Sequence, residues 1–99
     1  MRGYQRDPER AEVRALRRHA PLDGARVLDV GCGEGRLARR IAGAARLVVA
    51  IDPNEEVLAR ARRLTPRRLR KKIDYRHGTA ERPGVPRRRF DVAVFSGSL

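Results

Sequence analysis

The chain has 99 residues, a net charge of +12 and 24 lysine plus arginine residues, of which only Lys71 and Lys72 are lysine. That length allows one domain with a small core, and its apolar runs are all shorter than the ~18 residues a membrane helix needs, so no membrane span is expected. The single cysteine, Cys32, excludes an internal disulfide; with Asp7, Glu9 and Glu12 arguing against an organellar leader, the expected location is cytoplasmic.

Met1 to Arg6 is expected to fray. Asp7-Pro8-Glu9 then reads as a helix start, with a cap, a proline at the first helical position and an early acid that suits the dipole. This helix is expected to run to about His19, on Ala11, Val13, Leu16 and Ala20, and to end at Pro21-Leu22-Asp23-Gly24. Residues 1–24 are therefore a lead-in, and 25–99 the domain proper.

A buried strand over Arg26 to Val30 enters a glycine turn, followed by a helix from near Gly35 to Ala42 that Gly43 stops. A second strand, Leu47 to Ile51, ends in Asp52, and Pro53-Asn54-Glu55-Glu56 opens another helix on Val57, Leu58, Ala61 and Leu64, closed by Thr65-Pro66. A short, half-polar third strand covers Ile73 to Arg76, as suits a sheet edge. Gly78 to Arg89 is a loop broken by Pro83, Gly84 and Pro86, and Phe90 to Phe95 is the fourth strand. Strands alternating with helices predict right-handed βαβ units, hence an α/β fold with a Rossmann-like, doubly wound parallel sheet. Its strand order should be 3-2-1-4, truncated after the fourth strand. The ligand crevice should open at the switch point between strands 1 and 4, at the edge carrying Gly31, Asp52 and Ser96. Val92, Val94 and Phe95 should then form a bare edge, calling for further chain, a second chain or a dimer partner.

The turn Gly31-Cys32-Gly33-Glu34-Gly35 suits a nucleotide-like ligand, because glycine tolerates positive φ and lets a ligand approach the backbone and the helix N-terminus closely. A dinucleotide fingerprint would be G-x-G-x-x-G, but Arg36 stands where its third glycine belongs. The carboxylates Asp29 and Glu34 would repel a pyrophosphate and tolerate a cationic ligand. Asp52, at the tip of the second strand, is placed to accept both hydroxyls of a ribose. Cys32 is read as a small packing residue, and no base is near it in sequence to make it a nucleophile. The run Arg67-Arg68-Leu69-Arg70-Lys71-Lys72 is read first as a solvated connection. A nucleic-acid patch is the less favoured alternative, since aromatic residues for base stacking are nearly absent.

Val27-Leu28-Asp29-Val30-Gly31-Cys32-Gly33-Glu34-Gly35 resembles motif I of the class I S-adenosylmethionine-dependent methyltransferases. Val49-Ala50-Ile51-Asp52-Pro53-Asn54 resembles their ribose-binding motif, His77-Gly78-Thr79-Ala80-Glu81 the adenine-side segment, and Phe90 to Ser96 the fourth strand. Thr79 stands where the family often has Asp. The chain stops after the fourth strand, where the family normally continues, so a cofactor-binding N-terminal part is expected. The resemblance implies S-adenosylmethionine as cofactor, bound by Asp29, Gly31, Cys32, Gly33, Gly35, Asp52, Pro53, Asn54, Thr79, Ala80 and Ser96. It implies neither a metal nor an identified catalytic residue, and the methyl acceptor is left unidentified. Two alternatives remain at the level of sequence: an NAD(P)-type nucleotide-binding fragment, and a non-catalytic basic RNA-binding or scaffolding remnant.

Overall fold

The computed structural model describes residues 2–5 and 22–96. Its strands are β1 (Arg2–Gln5), β2 (Arg26–Val30), β3 (Leu47–Asp52), β4 (Ile73–His77) and β5 (Val92–Phe95), with helices α1 (Arg36–Ile41) and α2 (Glu55–Leu64). Short 3-10 turns at Arg67–Leu69 and Arg87–Arg89 lead toward β4 and β5. The helix expected between Asp7 and His19 lies outside the described residues. No helix among the described residues is long and apolar enough to cross a membrane.

All strand pairs are parallel, in the order β1-β5-β2-β3-β4. Within it, β4-β3-β2-β5 is the 3-2-1-4 order read from the sequence, with the switch point between β2 and β5. The structure corrects the two readings at the far edge. Arg2–Gln5 is not frayed: it pairs with β5, Arg2 opposite Val92 and Gln5 opposite Phe95. The edge for which a second chain or dimer partner is expected is thus filled from within the chain. The physical reason is backbone pairing, since buried N–H and C=O groups must find partners. Arg-Gly-Tyr-Gln has no apolar alternation, so periodicity could not reveal the strand.

Alternation along the strands sorts the core into two faces. Val27, Val48, Ala50, Ile73, Tyr75, Val92 and Val94 point to one side, where Leu37, Ala38 and Ile41 of α1 and Leu58 and Ala61 of α2 cover them. Leu28, Val49, Ile51 and Ala93 point to the other side, against Phe90, with Val85 packed there from the loop before β5. Both described helices therefore lie on a single face. The α2 start is fixed by Asn54, whose Oδ1 accepts from the N–H groups of Glu56 at 2.9 Å and Val57 at 3.1 Å. Its end is fixed by Thr65, whose hydroxyl donates to the Ala61 carbonyl at 2.7 Å.

Candidate functional site

The same alternation brings three polar residues together. Asp29, Asp52 and Ser96 share the side-chain parity of Val27, Ala50 and Val94, so all three lie on the helix-covered face, at or just past the C-terminal tips of neighbouring strands. Asp29 is fully buried and Ser96 nearly so. The Ser96 hydroxyl donates to Asp29 Oδ1 and lies 3.2 Å from the Gly31 carbonyl oxygen, while its N–H reaches the Val30 carbonyl at 3.0 Å. Asp29 and Ser96 therefore tie β5 to the glycine turn across the switch point.

The turn itself is built on backbone geometry. Gly31, Gly33 and Gly35 have φ of 74°, 55° and 82°, a region that side-chain-bearing residues rarely enter. The N–H groups of Gly31 and Cys32 both reach the Ile51 carbonyl at 2.9 Å, which fastens the turn to β3. A Cβ on Gly33 would meet nothing within 4 Å, so its backbone stands open to a ligand. A Cβ on Gly35 would overlap the Tyr75 hydroxyl, so this glycine is required by packing as well as by φ.

Asp52 connects the turn to α2. One carboxylate oxygen accepts from Gly33 N–H at 3.0 Å and the other from Asn54 N–H at 2.9 Å. Such charge-assisted bonds hold the carboxylate in one orientation. A carboxylate has about four acceptor positions, so two backbone bonds leave capacity for a diol. On one side of Asp52, beyond Gly33, is a cavity of about 280 Å³ whose lining includes Cys32, Gly33, Glu34, Ser96 and the two arginines Arg36 and Arg60. On the other is an open shelf of about 530 Å³ at Pro53, Asn54, Glu55 and Glu56. The loop after β4 reaches the same edge, because Gly78 N–H donates to the Asp52 carbonyl at 3.3 Å. Thr79 closes that loop: its N–H meets the Arg82 carbonyl and its Oγ1 accepts from Arg82 N–H, each at 3.0 Å. Ala80 follows it, half-buried. Of the residues singled out in the sequence, Cys32, Gly33 and Ser96 line the first concavity and Pro53 and Asn54 the second, Asp52 bonds to Gly33 and Asn54 between them, and Asp29, Gly31, Gly35, Thr79 and Ala80 lie along the same edge without lining either.

Burial and nearby carboxylates set the state of Cys32. Burial, and then the charges of Asp29 and Asp52, push the Cys32 thiol well above its ordinary range. Cys32 is therefore a neutral, buried packing group whose Sγ lies 3.6 Å from the Gly33 carbonyl, unsuited to nucleophilic work at neutral pH.

Sequence reasoning missed the support beneath this edge. Tyr75, buried on β4, shares a 2.8 Å hydrogen bond with Thr65 while its carbonyl accepts from Arg62 at 2.9 Å. It packs between Gly35 and the end of α2. The apolar parity of Ile73 and Tyr75 could have placed this ring on the helix face, though not under the glycine.

A family model described as a methyltransferase domain matches residues 27–99, from β2 through the last residue. The chain belongs to that family, the class I S-adenosylmethionine-dependent methyltransferases. Membership sets aside the dinucleotide-binding alternative. Among curated relatives, the chain is 40% identical over 76 residues to a ubiquinone biosynthesis O-methyltransferase of Agrobacterium fabrum, covering 77% of this chain and 30% of that protein. Among solved structures, it matches an S-adenosylmethionine-dependent methyltransferase of Mesorhizobium loti with a TM-score of 0.71 at 34% identity, over 86% of this chain and 38% of that one. An RNA methyltransferase of Salinibacter ruber, solved with S-adenosyl-L-homocysteine, shares the fold at a TM-score of 0.75 and 22% identity, over 91% of this chain and 59% of that one. The chain spans about a third of the length of the curated relatives it matches.

Proposed function

We propose that this chain binds S-adenosylmethionine along the strand-tip edge and is the cofactor-holding part of a methyltransferase acting on an unidentified acceptor. The observation that carries the reading is the Asp52 carboxylate, held by the N–H groups of Gly33, which lines one cavity, and Asn54, which lines the open shelf. The residues fit the cofactor: a glycine turn with open space beside Gly33, and an Asp52 carboxylate that keeps acceptor capacity beyond its two backbone N–H bonds. When bound, the cofactor supplies a sulfonium methyl group already activated toward a nucleophile.

The chain's own residues then bind and orient. Gly31, Gly33 and Gly35 let the turn approach the methionine end, with Cys32 packed beneath them. Asp52 accepts the ribose hydroxyls through its remaining lone pairs. Pro53 and Asn54 border the adenine on one side and Thr79 and Ala80 on the other. Asp29, through Ser96 and the turn, fixes the geometry near the methyl donor and contributes negative potential toward the amino group and the sulfonium. In-line transfer needs positioning and exclusion of water more than acid–base groups. The single cysteine, buried as a free thiol, supports a reducing cytoplasmic setting.

Calorimetric titration of the chain with S-adenosylmethionine tests the reading, with NAD as comparison and an Asp52→Asn variant. S-adenosylmethionine should bind, NAD should not, and the variant should lose at least about tenfold in affinity, the scale of one or two charge-assisted hydrogen bonds. Undiminished binding by the variant would remove Asp52 from the site.

A further inference from the structure

In a parallel sheet every strand starts at the same edge, so residues preceding the strands are brought together however far apart they lie in sequence. Here that edge collects cations. Arg67, Arg68, Arg70 and Lys71 precede β4, and Arg87 to Arg89 precede β5; all are exposed. The two helices run back to the same edge and end in Arg39–Arg40 and Arg62–Arg63. Most described carboxylates, Asp29, Glu34, Asp52, Glu55, Glu56 and Glu81, lie at the opposite edge with fewer cations among them, while Asp23 and Asp91 stay at the cationic edge, Asp91 beside Arg26. Among the described residues the positive charge is therefore not spread evenly.

Helix dipoles account for part of this, because cations suit helix C-termini. They do not account for 67–71 or 87–89, which lie in 3-10 turns and connections. Among the described residues no carboxylate forms an ion pair with Arg67, Arg68 or Lys71. Beside this run, Arg62 and Arg70 flank a cleft of about 380 Å³ between the end of α2 and β4, whose one lining carboxylate, Asp74, is paired with Arg76 at 2.8 Å. Each is steadied by a backbone carbonyl, Arg62 by Tyr75 at 2.9 Å and Arg70 by Thr65 at 3.5 Å. A guanidinium has five donors, so each keeps several for an anion.

We propose that this edge, on the side of the sheet away from the cofactor site, docks the phosphodiester backbone of a nucleic acid. Three features select that occupant. Arginine predominates, and its planar fork matches phosphate oxygens in pairs. Tyr75 and Phe90 are buried, so the surface offers cations without stacking rings and reads backbone in preference to bases. Leu64, at 49% exposure, is the one exposed large hydrophobic among the described residues, too little apolar surface to enter a lipid interface.

The test is fluorescence anisotropy of a labelled oligouridylate of about 20 nucleotides, titrated with the full chain at several salt concentrations. Two variants remove equal charge from opposite edges: Arg67→Ala with Arg68→Ala, and Arg76→Ala with Arg82→Ala. The first pair should weaken binding about tenfold and flatten the logarithmic salt slope by roughly 1.4, near 0.7 for each lost phosphate contact on a single strand. The second should change affinity by less than about twofold, since charges away from a contact act only through the screened long-range field. Should the first variant fail to keep its far-UV circular dichroism, Arg87→Ala with Arg88→Ala takes its place and must weaken binding in the same direction. Equal losses in both edges would reduce the effect to net charge and overturn the proposal, as would absence of binding by the parent chain. Tighter binding to phosphatidylglycerol vesicles than to oligouridylate, through the same arginines, would overturn it in favour of a lipid surface.

Discussion

At the scale of single residues, the glycine turn separates two demands that look alike in sequence. Gly33 and Gly35 both have positive φ, but only Gly35 has a neighbour within reach of an added methyl group. Gly35→Ala should therefore destabilise the fold by about 2–4 kcal/mol, from left-handed strain plus overlap with Tyr75. Tyr75→Phe in the same chain should recover part of that loss, since the hydroxyl is the nearest atom. Gly33→Ala should cost only about 1–2 kcal/mol of strain while weakening S-adenosylmethionine binding, because the methyl group occupies the approach. Chemical denaturation and calorimetry on the three variants separate the effects; a Gly33→Ala chain with full affinity would show that the ligand does not pass there.

Cys32 gives a second residue-scale prediction. Its folded-state pKa is raised by burial and by the charges of Asp29 and Asp52, from an ordinary value of 9.0. Below that value both states hold the proton and pH has no effect through this group. Above it the unfolded chain releases the proton while the folded chain keeps it, so stability falls as pH rises, by at most about 1.4 kcal/mol per pH unit. Tyr75, also raised by burial from 10.0, adds a similar decline at higher pH. Between about pH 9 and 10 Cys32→Ala should flatten the slope of the denaturation midpoint against pH. An unchanged slope in that window would mean the thiol ionises in the folded chain.

The contacts behind these predictions differ in how far the sequence discloses them. Asp29, Asp52 and the glycines stand at fixed offsets from strand ends, so local pattern and strand direction suffice to bring them to one edge. Tyr75 under Gly35, and Asp29 joined to Ser96, depend on packing between elements far apart in the chain. Only the parity of side chains hints at them.

At the scale of elements, the alternation of strand and helix was legible because each apolar run has a single period and ends at glycine, proline or a capping residue. β1 was not legible, because what holds it is backbone pairing with β5 and not an apolar face. That pairing has a measurable consequence. Deleting residues 1–5 should bare the β5 edge and leave its outward N–H and C=O groups seeking another chain. The shortened chain should sediment as concentration-dependent oligomers under conditions where the full chain does not. A truncated chain with an unaltered sedimentation profile would show that β5 needs no cover. The α2 cap offers a milder perturbation at the same scale: Asn54→Ala removes the acceptor of two N–H groups and should cost about 1 kcal/mol.

At the scale of the whole molecule, a small core and a large site are coupled. Among the described residues, one face of the core is packed by two helices and the other gathers around Phe90 and Val85. Asp52 spans the site and the fold at once, fastening the glycine turn to the start of α2. Cofactor binding to the folded chain alone must then stabilise it by mass action, by about 2.7 kcal/mol at a hundredfold excess over Kd. For a chain of this size each kcal/mol moves Tm by about 4–8 °C, so the expected rise is roughly 11–22 °C. Thermal unfolding followed by circular dichroism should show that rise with S-adenosylmethionine or S-adenosylhomocysteine and little change with NAD. Asp52→Asn should unfold at a lower temperature than the parent and respond weakly to either ligand, because one substitution weakens both the turn's anchor and the ribose acceptor. A variant that lost stability yet kept the full ligand-induced rise would divide those roles and leave Asp52 as an anchor of the fold alone.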